Sequence, residues 1–113
     1  MSDFYCGVDI GASATKVTLI DGAGGVLARV VRPSGVDYAA IARACLDEAV
    51  AAADRGDGPA VTVSTGYGRG NVDFADETRT EIHCHGVGCF HSVGRGITVV
   101  DIGGQDNKVI RLD

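Results

Sequence analysis

The feature that most constrains this chain is a ten-residue segment that occurs twice. Residues 8–17 read V-D-I-G-A-S-A-T-K-V and residues 100–109 read V-D-I-G-G-Q-D-N-K-V, so the two copies agree at six of ten positions. Lys16 and Lys108, the only two lysines of the chain, occupy the same position in the two copies. Each copy has the pattern of a strand that ends in aspartate, a tight turn of small residues, and a strand that returns. The repeat therefore predicts two equivalent β-hairpins.

The turns of these hairpins have the residue types of an anion-binding site. A turn of small residues exposes several backbone amides, and a concave run of amides binds anions. Asp9 and Asp101 would repel a phosphate unless a divalent cation lay between them, and Mg²⁺ typically meets a protein through one or two carboxylates and their waters. In either copy alone, Asp and Gly would more simply serve the turn. Because the pattern is duplicated, we predict that the two turns together hold a metal-bound polyphosphate.

Two common phosphate-binding motifs are absent from the sequence. It contains neither G-x-x-x-x-G-K-[ST], the P-loop pattern, nor G-x-G-x-x-G, the pattern of a Rossmann dinucleotide site. Phosphate binding in this chain must therefore use the hairpins.

The periodicity of apolar residues predicts the order β-β-β-α-β-α-β-β. The helix that begins after Asp37 and runs to about Asp54 is the most regular element, with Gly56 following it. A second helix over residues 82–93 is preceded by Thr78 and Glu81 at the spacing of a capping box. Residues 65–70 form a loop too rich in glycine to be regular. The predicted strands are Phe4–Ile10, Thr15–Ile20, Val26–Val31 (stopped by Pro33), Ala60–Ser64, Ile97–Ile102 and Lys108–Leu112.

Composition narrows the class of protein. The chain has 113 residues, 45% of them hydrophobic, which suits one folded domain. Its net charge of -5 argues against a general affinity for nucleic acid or an anionic membrane, since either would favour a basic face. No apolar run approaches the ~20 residues of a membrane span, and the N-terminus does not have the pattern of a signal peptide. We therefore expect a cytoplasmic protein with no nucleic-acid or membrane partner, whose four cysteines are free thiols.

Five segments, spread from end to end of the chain, carry a resemblance to a known family. They are G-V-D-I-G-A-S-A-T-K (7–16), T-G-Y-G-R (65–69), N-V-D-F-A-D (71–76), T-E-I-H-C-H-G-V-G (80–88) and V-V-D-I-G-G-Q-D-N-K-V-I (99–110). Together they closely resemble the BadF/BadG/BcrA/BcrD ATPase family, which includes activators of 2-hydroxyacyl-CoA dehydratases and the ATPase subunits of benzoyl-CoA reductase. The D-I-G turns are shared with sugar kinases, actin and heat-shock chaperones, so T-G-Y-G-R and E-I-H-C-H are the more specific segments.

The resemblance implies a fold and an activity. The fold would be an α/β, ribonuclease-H-like lobe, with a mixed sheet and helices packed on it. The activity would be ATP hydrolysis that drives a conformational change, so that a reduced four-iron four-sulfur cluster passes an electron at low potential to a dehydratase or reductase component. Family members are typically homodimers or paired subunits, with one cluster between two protomers.

The resemblance covers only the first half of a family member. Residues 1–113 would form the N-terminal lobe of the ATPase domain, with residues 100–113 starting the second lobe. The cluster ligands lie in motifs of the D-K-C-A-A-G-T-G and C-x-V-F-A-E-S-E types, which this sequence lacks, and the adenosine-binding segment is also absent. We therefore expect the chain to need a C-terminal half or a second protomer, and to have negligible turnover alone.

The resemblance also implies roles for individual residues. Asp9 and Asp101 would hold the waters of Mg²⁺, with Asp106 as a further metal contact. Gln105 would orient the attacking water. Glu81 would act as a base or a metal contact, and its equal alternative is the capping box with Thr78. The residues that would cradle the phosphates of ATP are Gly11, Ala12, Ser13, Ala14, Thr15 and Lys16 in the first turn, and Gly103, Gly104 and Gln105 in the second.

Two further features have competing interpretations. Arg69 would contact phosphate or a partner protein, or would be an exposed loop residue without a role. On a helix, His85 and Cys89 are one turn apart and could form half of a zinc site. The spacing of these two with His83, Cys84 and His91 matches no standard zinc motif, so the zinc site is the disfavoured interpretation.

Three functional hypotheses follow from the sequence. The first is the ATPase activator domain just described. The second is a relative of sugar or acid kinases, which T-G-Y-G-R and E-I-H-C-H disfavour. The third is a non-catalytic module that binds or associates without turnover.

Overall fold

The computed structural model describes residues 3–80, Cys84, 98–102 and 107–111, the last two ranges through their backbone. The chain divides into two compact units, Met1–Arg79 and Thr80–Asp113. No helix in the described part of the chain is both long enough and apolar enough to cross a membrane.

The first unit is built on a five-stranded mixed sheet in the order β3-β2-β1-β4-β5. β1 (Phe4–Ile10) pairs antiparallel with β2 (Ala14–Asp21), and β2 pairs antiparallel with β3 (Val26–Pro33). On its other side β1 pairs in parallel with β4 (Val61–Thr65), which pairs in parallel with the short β5 (Glu77–Thr78). The sheet therefore places the carboxyl ends of β1 and β4 side by side.

One helix, α1 (Tyr38–Ala52), packs on β1, β2 and β3. The prediction that Asp37 caps it is confirmed, because the Asp37 carboxylate accepts a hydrogen bond from the Ala40 amide at 3.0 Å. The helix ends two residues before the predicted Asp54. Asp54 itself, and not Gly56, takes the left-handed conformation after the helix, with φ of 56°.

The core lies between α1 and the sheet face that it covers. Alternate residues of β1 point into it, since side chains alternate between the two faces of a strand. The opposite face of β1 carries Tyr5, Gly7 and Asp9, which are half-buried or exposed. The buried apolar residues are Phe4, Cys6, Val8, Ile10, Val17, Leu19, Val30, Ala42, Cys45, Leu46, Ala49 and Val72.

The bounds of β1 are those predicted, and the bounds of β2, β3 and β4 differ from the predicted ones by one or two residues. β3 continues through Pro33, the residue predicted to stop it. β3 is the edge of the sheet, where a residue without an amide donor is tolerated. β4 begins and ends one residue later than predicted.

The segment after β4 is more regular than predicted. It contains a 3₁₀ turn over Arg69–Asn71, within the loop that the glycine content predicts to be irregular. The capping box at Thr78 is wrong for that residue, because Thr78 lies in β5. Cys84 is helical and its amide donates to the Thr80 carbonyl at 3.1 Å. The rest of the helix predicted over residues 82–93 lies outside the described residues.

In the second unit, β6 (Thr98–Ile102) pairs antiparallel with β7 (Asn107–Arg111). These bounds agree with the predicted strands to within one residue. The second predicted hairpin is therefore confirmed in its strands, while its turn at 103–106 lies outside the described residues.

Candidate functional site

Three polar residues lie in one row where β1 and β4 end. Asp9 is paired across the sheet with Lys16 of β2 on one side and with Thr65 of β4 on the other. Directly paired residues project from the same face of a sheet, so these side chains are neighbours on the face opposite α1. Asp9 is half-buried and Lys16 is exposed. The row therefore brings a carboxylate, an ammonium group and a hydroxyl to one edge of the sheet.

The turn between β1 and β2 lies next to this row. It is closed by a hydrogen bond from the Gly11 amide to the Ala14 carbonyl, at 2.9 Å. A Cβ on Gly11 would lie 3.0 Å from the same carbonyl oxygen, so the turn is tight there. Within the described residues, the amides of Ala12 and Ser13 have no hydrogen-bond partner. The amides that the turn offers to an anion are therefore those at its tip, while the Gly11 amide is engaged inside the turn.

The T-G-Y-G-R segment packs against the end of β1. Gly66 has φ of +92°, and a Cβ there would lie 2.5 Å from both Asp9 Oδ1 and the Ile10 carbonyl oxygen. The Gly68 amide donates to that Ile10 carbonyl at 2.9 Å. A Cβ on Gly68 would lie 2.6 Å from Ile10 Cγ2. Both positions need glycine because the loop backbone touches the strand that carries Asp9.

Arg69 is held within its own loop. Its guanidinium group donates to the Gly66 carbonyl at 3.2 Å, and its carbonyl accepts from the Ser64 hydroxyl at 2.9 Å. Neighbouring Tyr67 is exposed and meets Tyr38 of α1 edge to face, with ring centroids 6.3 Å apart. The sequence interpretations of Arg69 did not include this bracing of the loop.

The surroundings of the Thr65 hydroxyl show whether this site suits a metal-bound nucleotide. Its oxygen is buried and has no hydrogen-bond partner among the described residues. A buried polar atom left unpaired costs on the order of 1–3 kcal/mol. It lies at the position paired with Asp9, beside the turn that carries the Ala12 and Ser13 amides. Oxygen donors such as those of Asp9 and Thr65 suit Mg²⁺ and its waters, and backbone amides suit phosphate. These residues therefore fit a nucleotide bound with Mg²⁺. Thr65 is the first residue of the T-G-Y-G-R segment, and the sequence motifs assign this residue no role in binding.

The second hairpin repeats the first in its backbone register. Asp101 pairs with Lys108 and Ile102 pairs with Asn107, as Asp9 pairs with Lys16 and Ile10 with Thr15. Four residues connect the innermost pair in both hairpins. The remaining predicted site residues, Glu81, Gly103, Gly104, Gln105 and Asp106, lie outside the described residues.

The cysteines of the first unit are core residues. Cys6 and Cys45 are buried, and burial raises the pKa of the Cys6 thiol to about 11 and also raises the pKa of Cys45. Neither is therefore suited to ligate a metal. No group of three metal-ligating side chains is found among the described residues. His83, His85, Cys89 and His91, which define the disfavoured zinc site, lie outside them.

The comparison with known families settles which of the resemblances holds. The model of the BadF/BadG/BcrA/BcrD ATPase family matches residues 6–113. The chain belongs to this family. Membership in this family rules in favour of the ATPase-family hypothesis over the sugar-kinase hypothesis. The solved structures confirm the predicted α/β fold.

Three of the curated relatives are named as activators of acyl-CoA dehydratases. The activator of lactoyl-CoA dehydratase from Anaerotignum propionicum is 37% identical over 111 residues, which is 97% of this chain and 42% of the relative. Component A of the (R)-2-hydroxyglutaryl-CoA dehydratase of Acidaminococcus fermentans has a TM-score of 0.89 at 32% identity, covering 99% of this chain and 44% of its own.

A third relative was solved with a nucleotide. It is the activator of the 2-hydroxyisocaproyl-CoA dehydratase from Clostridium difficile with bound ADPNP. It has a TM-score of 0.82 at 29% identity, covering 100% of this chain and 41% of its own. This chain therefore spans less than half the length of the relatives it matches.

Proposed function

We propose that this chain supplies the phosphate-binding part of an ATPase that activates a 2-hydroxyacyl-CoA dehydratase or a benzoyl-CoA reductase. The observation that carries the proposal is the row of Asp9, Lys16 and Thr65 beside a turn whose Ala12 and Ser13 amides have no partner in the part of the chain that the structure describes. The similarity over the whole chain to an activator with bound ADPNP supports ATP as the ligand. The names of the relatives support a dehydratase component as the partner.

In this proposal the first hairpin binds the phosphates of ATP. The amides of Ala12 and Ser13 donate to phosphate oxygens, and Lys16 lies close enough in register to neutralise their charge. Asp9 accepts hydrogen bonds from the waters of Mg²⁺, with the Thr65 hydroxyl beside it. Mg²⁺, when bound, offsets the negative charge that would otherwise keep phosphate and carboxylate apart.

The second hairpin is proposed to contact the same nucleotide, because its sequence and its register repeat those of the first. Asp101 would take the role of Asp9, and Gly103 and Gly104 would present amides. Gln105 would orient the attacking water, since a neutral amide both accepts from water and donates to phosphate. Asp106 and Glu81 are proposed as further contacts to the metal or the water.

The electron-transfer role of the family is proposed for the whole protein and not for these residues. Cys6 and Cys45 do not fit a four-iron four-sulfur cluster, because both are buried in the core with raised thiol pKa. No step through a cluster is therefore assigned to this chain. Coupling ATP hydrolysis to the partner is proposed to need the remainder of the protein.

The proposal is tested by titrating the 113-residue chain with the ATP analogue ADPNP in the presence of Mg²⁺, observed by NMR. Binding should shift the amide signals of residues 11–16. Asp9→Asn and Asp101→Asn should each weaken binding about tenfold, which corresponds to about 1.4 kcal/mol. Asp47→Asn, on the exposed side of α1, is the matched control and should bind as the unmodified chain does.

A parallel melting experiment separates binding from folding. If the aspartates act through the metal, their variants should melt close to the unmodified chain. If instead each loss of affinity is matched by a proportional loss of thermal stability, the aspartates serve only the turns and the proposal is wrong.

A further inference from the structure

A buried pair of hydroxyl groups lies under the first turn, on the α1 side of the sheet. Ser34 and Thr15 are 3% and 0% exposed, and their oxygens are 2.9 Å apart. The Ser34 hydroxyl also donates to the Gly11 carbonyl at 2.6 Å. A hydroxyl has one proton to donate. The Thr15 hydroxyl is therefore the donor in the bond between the two side chains.

Ser34 also holds the turn through its backbone. Its amide donates to the Ser13 carbonyl at 2.9 Å. One residue, from the segment between β3 and α1, thus bonds to two of the turn's carbonyls and to the first buried side chain after the turn. Pro33 directly before it is paired with Ala14, which fixes where this segment lies against the turn.

The two carbonyl contacts fix the direction of two amides. A trans peptide is planar, so its N–H points opposite to its C=O, and no described peptide is cis. With the Gly11 carbonyl directed at buried Ser34, the Ala12 amide must point away from the core. The Ser13 carbonyl instead accepts from the backbone amide of Ser34 along the edge of β3, so the Ala14 amide points away from β3. The Ser34 hydroxyl therefore sets the direction of the Ala12 amide, one of the two donors at the tip of the turn.

We propose that Ser34 is a positioning residue of the phosphate site. It contacts no ligand, and it acts by holding the carbonyl side of the turn so that the amide side faces the phosphate. This inference rests on the proposed function of the turn, and it adds a residue that lies outside both copies of the repeat. Preorganised donors bind more tightly because the turn loses less freedom when the ligand arrives.

The competing explanation is that Ser34 only satisfies buried polar groups. In that case its loss would lower stability and leave the turn and its ligand affinity unchanged. Thr62 provides a matched control, because it is also 3% exposed, lies on the same sheet and hydrogen-bonds through its side chain to Cys6, away from the turn. Thr62→Val removes a buried hydroxyl without touching the turn.

The experiment measures two properties of the 113-residue chain and its variants Ser34→Ala and Thr62→Val. The first is the NMR order parameter of the amides of Ala12, Ser13 and Ala14. The second is the dissociation constant for ADPNP with Mg²⁺. Ser34→Ala removes the hydroxyl bond to the Gly11 carbonyl and keeps the backbone bond to the Ser13 carbonyl. The order parameter of the Ala12 amide should therefore fall from about 0.85 to below about 0.6, that of Ala14 should change less, and affinity should fall at least fivefold. Thr62→Val should match the unmodified chain in both.

Each other outcome overturns a defined claim. A rigid turn in Ser34→Ala, or a mobile turn with unchanged affinity, overturns the positioning role of Ser34. If the unmodified chain binds no ADPNP even when it is mixed with the C-terminal half of a relative, the proposed function is wrong, and the order parameters still report whether Ser34 holds the turn. If Ser34→Ala does not fold, Thr15→Val is the alternative variant, because it removes only the hydroxyl that donates to the Ser34 side chain. It should weaken binding of ADPNP about threefold. An affinity equal to that of the unmodified chain would count against the proposal.

Discussion

The two D-I-G hairpins have the same register and different surroundings. In both, the aspartate pairs with the lysine seven residues later, and four residues connect the innermost pair. The first hairpin is part of a five-stranded sheet, whereas β6 and β7 form a two-stranded sheet within the described residues. The first hairpin also contacts two further segments of the chain. The Ser34 hydroxyl bonds to the carbonyl of Gly11 in its turn, and the backbone of Gly66 packs closely against Asp9.

A repeated motif specifies some features of a hairpin, and the neighbouring segments add others. The motif specifies the strand pairing, the position of the aspartate and the length of the turn. The neighbours decide how firmly the turn and the carboxylate are held. Both contacts to the first hairpin come from segments that the repeat does not include.

The largest expected effect is a loss of stability when Gly66 is replaced. Gly66→Ala would place a Cβ 2.5 Å from Asp9 Oδ1 and from the Ile10 carbonyl, at a φ that side chains rarely adopt. Strain of this kind costs on the order of 1–3 kcal/mol before any displacement of Asp9. We expect the free energy of unfolding, measured with denaturant, to fall by about 3 kcal/mol.

Gly70→Ala is the control for this change, because nothing lies within 4 Å of a Cβ there. It should alter stability by no more than about 0.5 kcal/mol. Equal stability losses in the two variants would show that the loop does not brace the first hairpin.

A smaller effect is expected from the two lysines. If the hairpins have equivalent roles, Lys16→Ala and Lys108→Ala should each weaken binding of ADPNP with Mg²⁺ about fivefold, or about 1 kcal/mol. Arg29→Ala removes an exposed positive charge from β3 and should leave affinity unchanged. A loss in one lysine variant alone would break the equivalence of the hairpins.

The smallest effect concerns pH. The pKa of Cys6 is raised by burial from 9.0 to about 11, so unfolding exposes a thiol that ionises more easily than the folded one. The stabilisation is complete below pH 9 and is lost as pH rises toward 11. Between pH 9 and 10 this one group should remove about 1 kcal/mol of stability.

Cys6→Ala tests that assignment, because it should flatten the loss of stability between pH 9 and 10. The strands of the second hairpin contain no cysteine, and Cys45 of α1, whose pKa burial also raises, should leave a residual slope in the variant. An unchanged pH slope in the variant would place its origin elsewhere.

Much of the fold is predictable from the sequence because its signals are local. Alternating apolar residues identify the strands, and Asp37 identifies the start of α1. Local patterns do not reveal the short β5 or the end of β3 at Pro33, since both depend on where a strand lies in the sheet. The repeat predicts a hairpin that brings Asp9 and Lys16 together, and the strand register confirms that they are paired.

The rest of the site is not predictable from local patterns. Ser34 is 23 residues from the Gly11 carbonyl it contacts, and no motif marks it. The glycine-rich pattern places Thr65 in a loop, whereas the parallel pairing of β4 with β1 makes it the neighbour of Asp9. Contacts between distant segments depend on the order of strands in the sheet, which single-residue patterns do not encode.

The most direct test of the central claim uses Mn²⁺ in place of Mg²⁺. Mn²⁺ is paramagnetic and broadens the NMR signals of nuclei near it. With ADPNP present, the amide signals of residues 11–15 and of residues 103–106 should both broaden, while those at the middle of α1 stay sharp. Broadening at neither turn, or at one turn only, would contradict the claim that the two hairpins hold one metal-bound nucleotide.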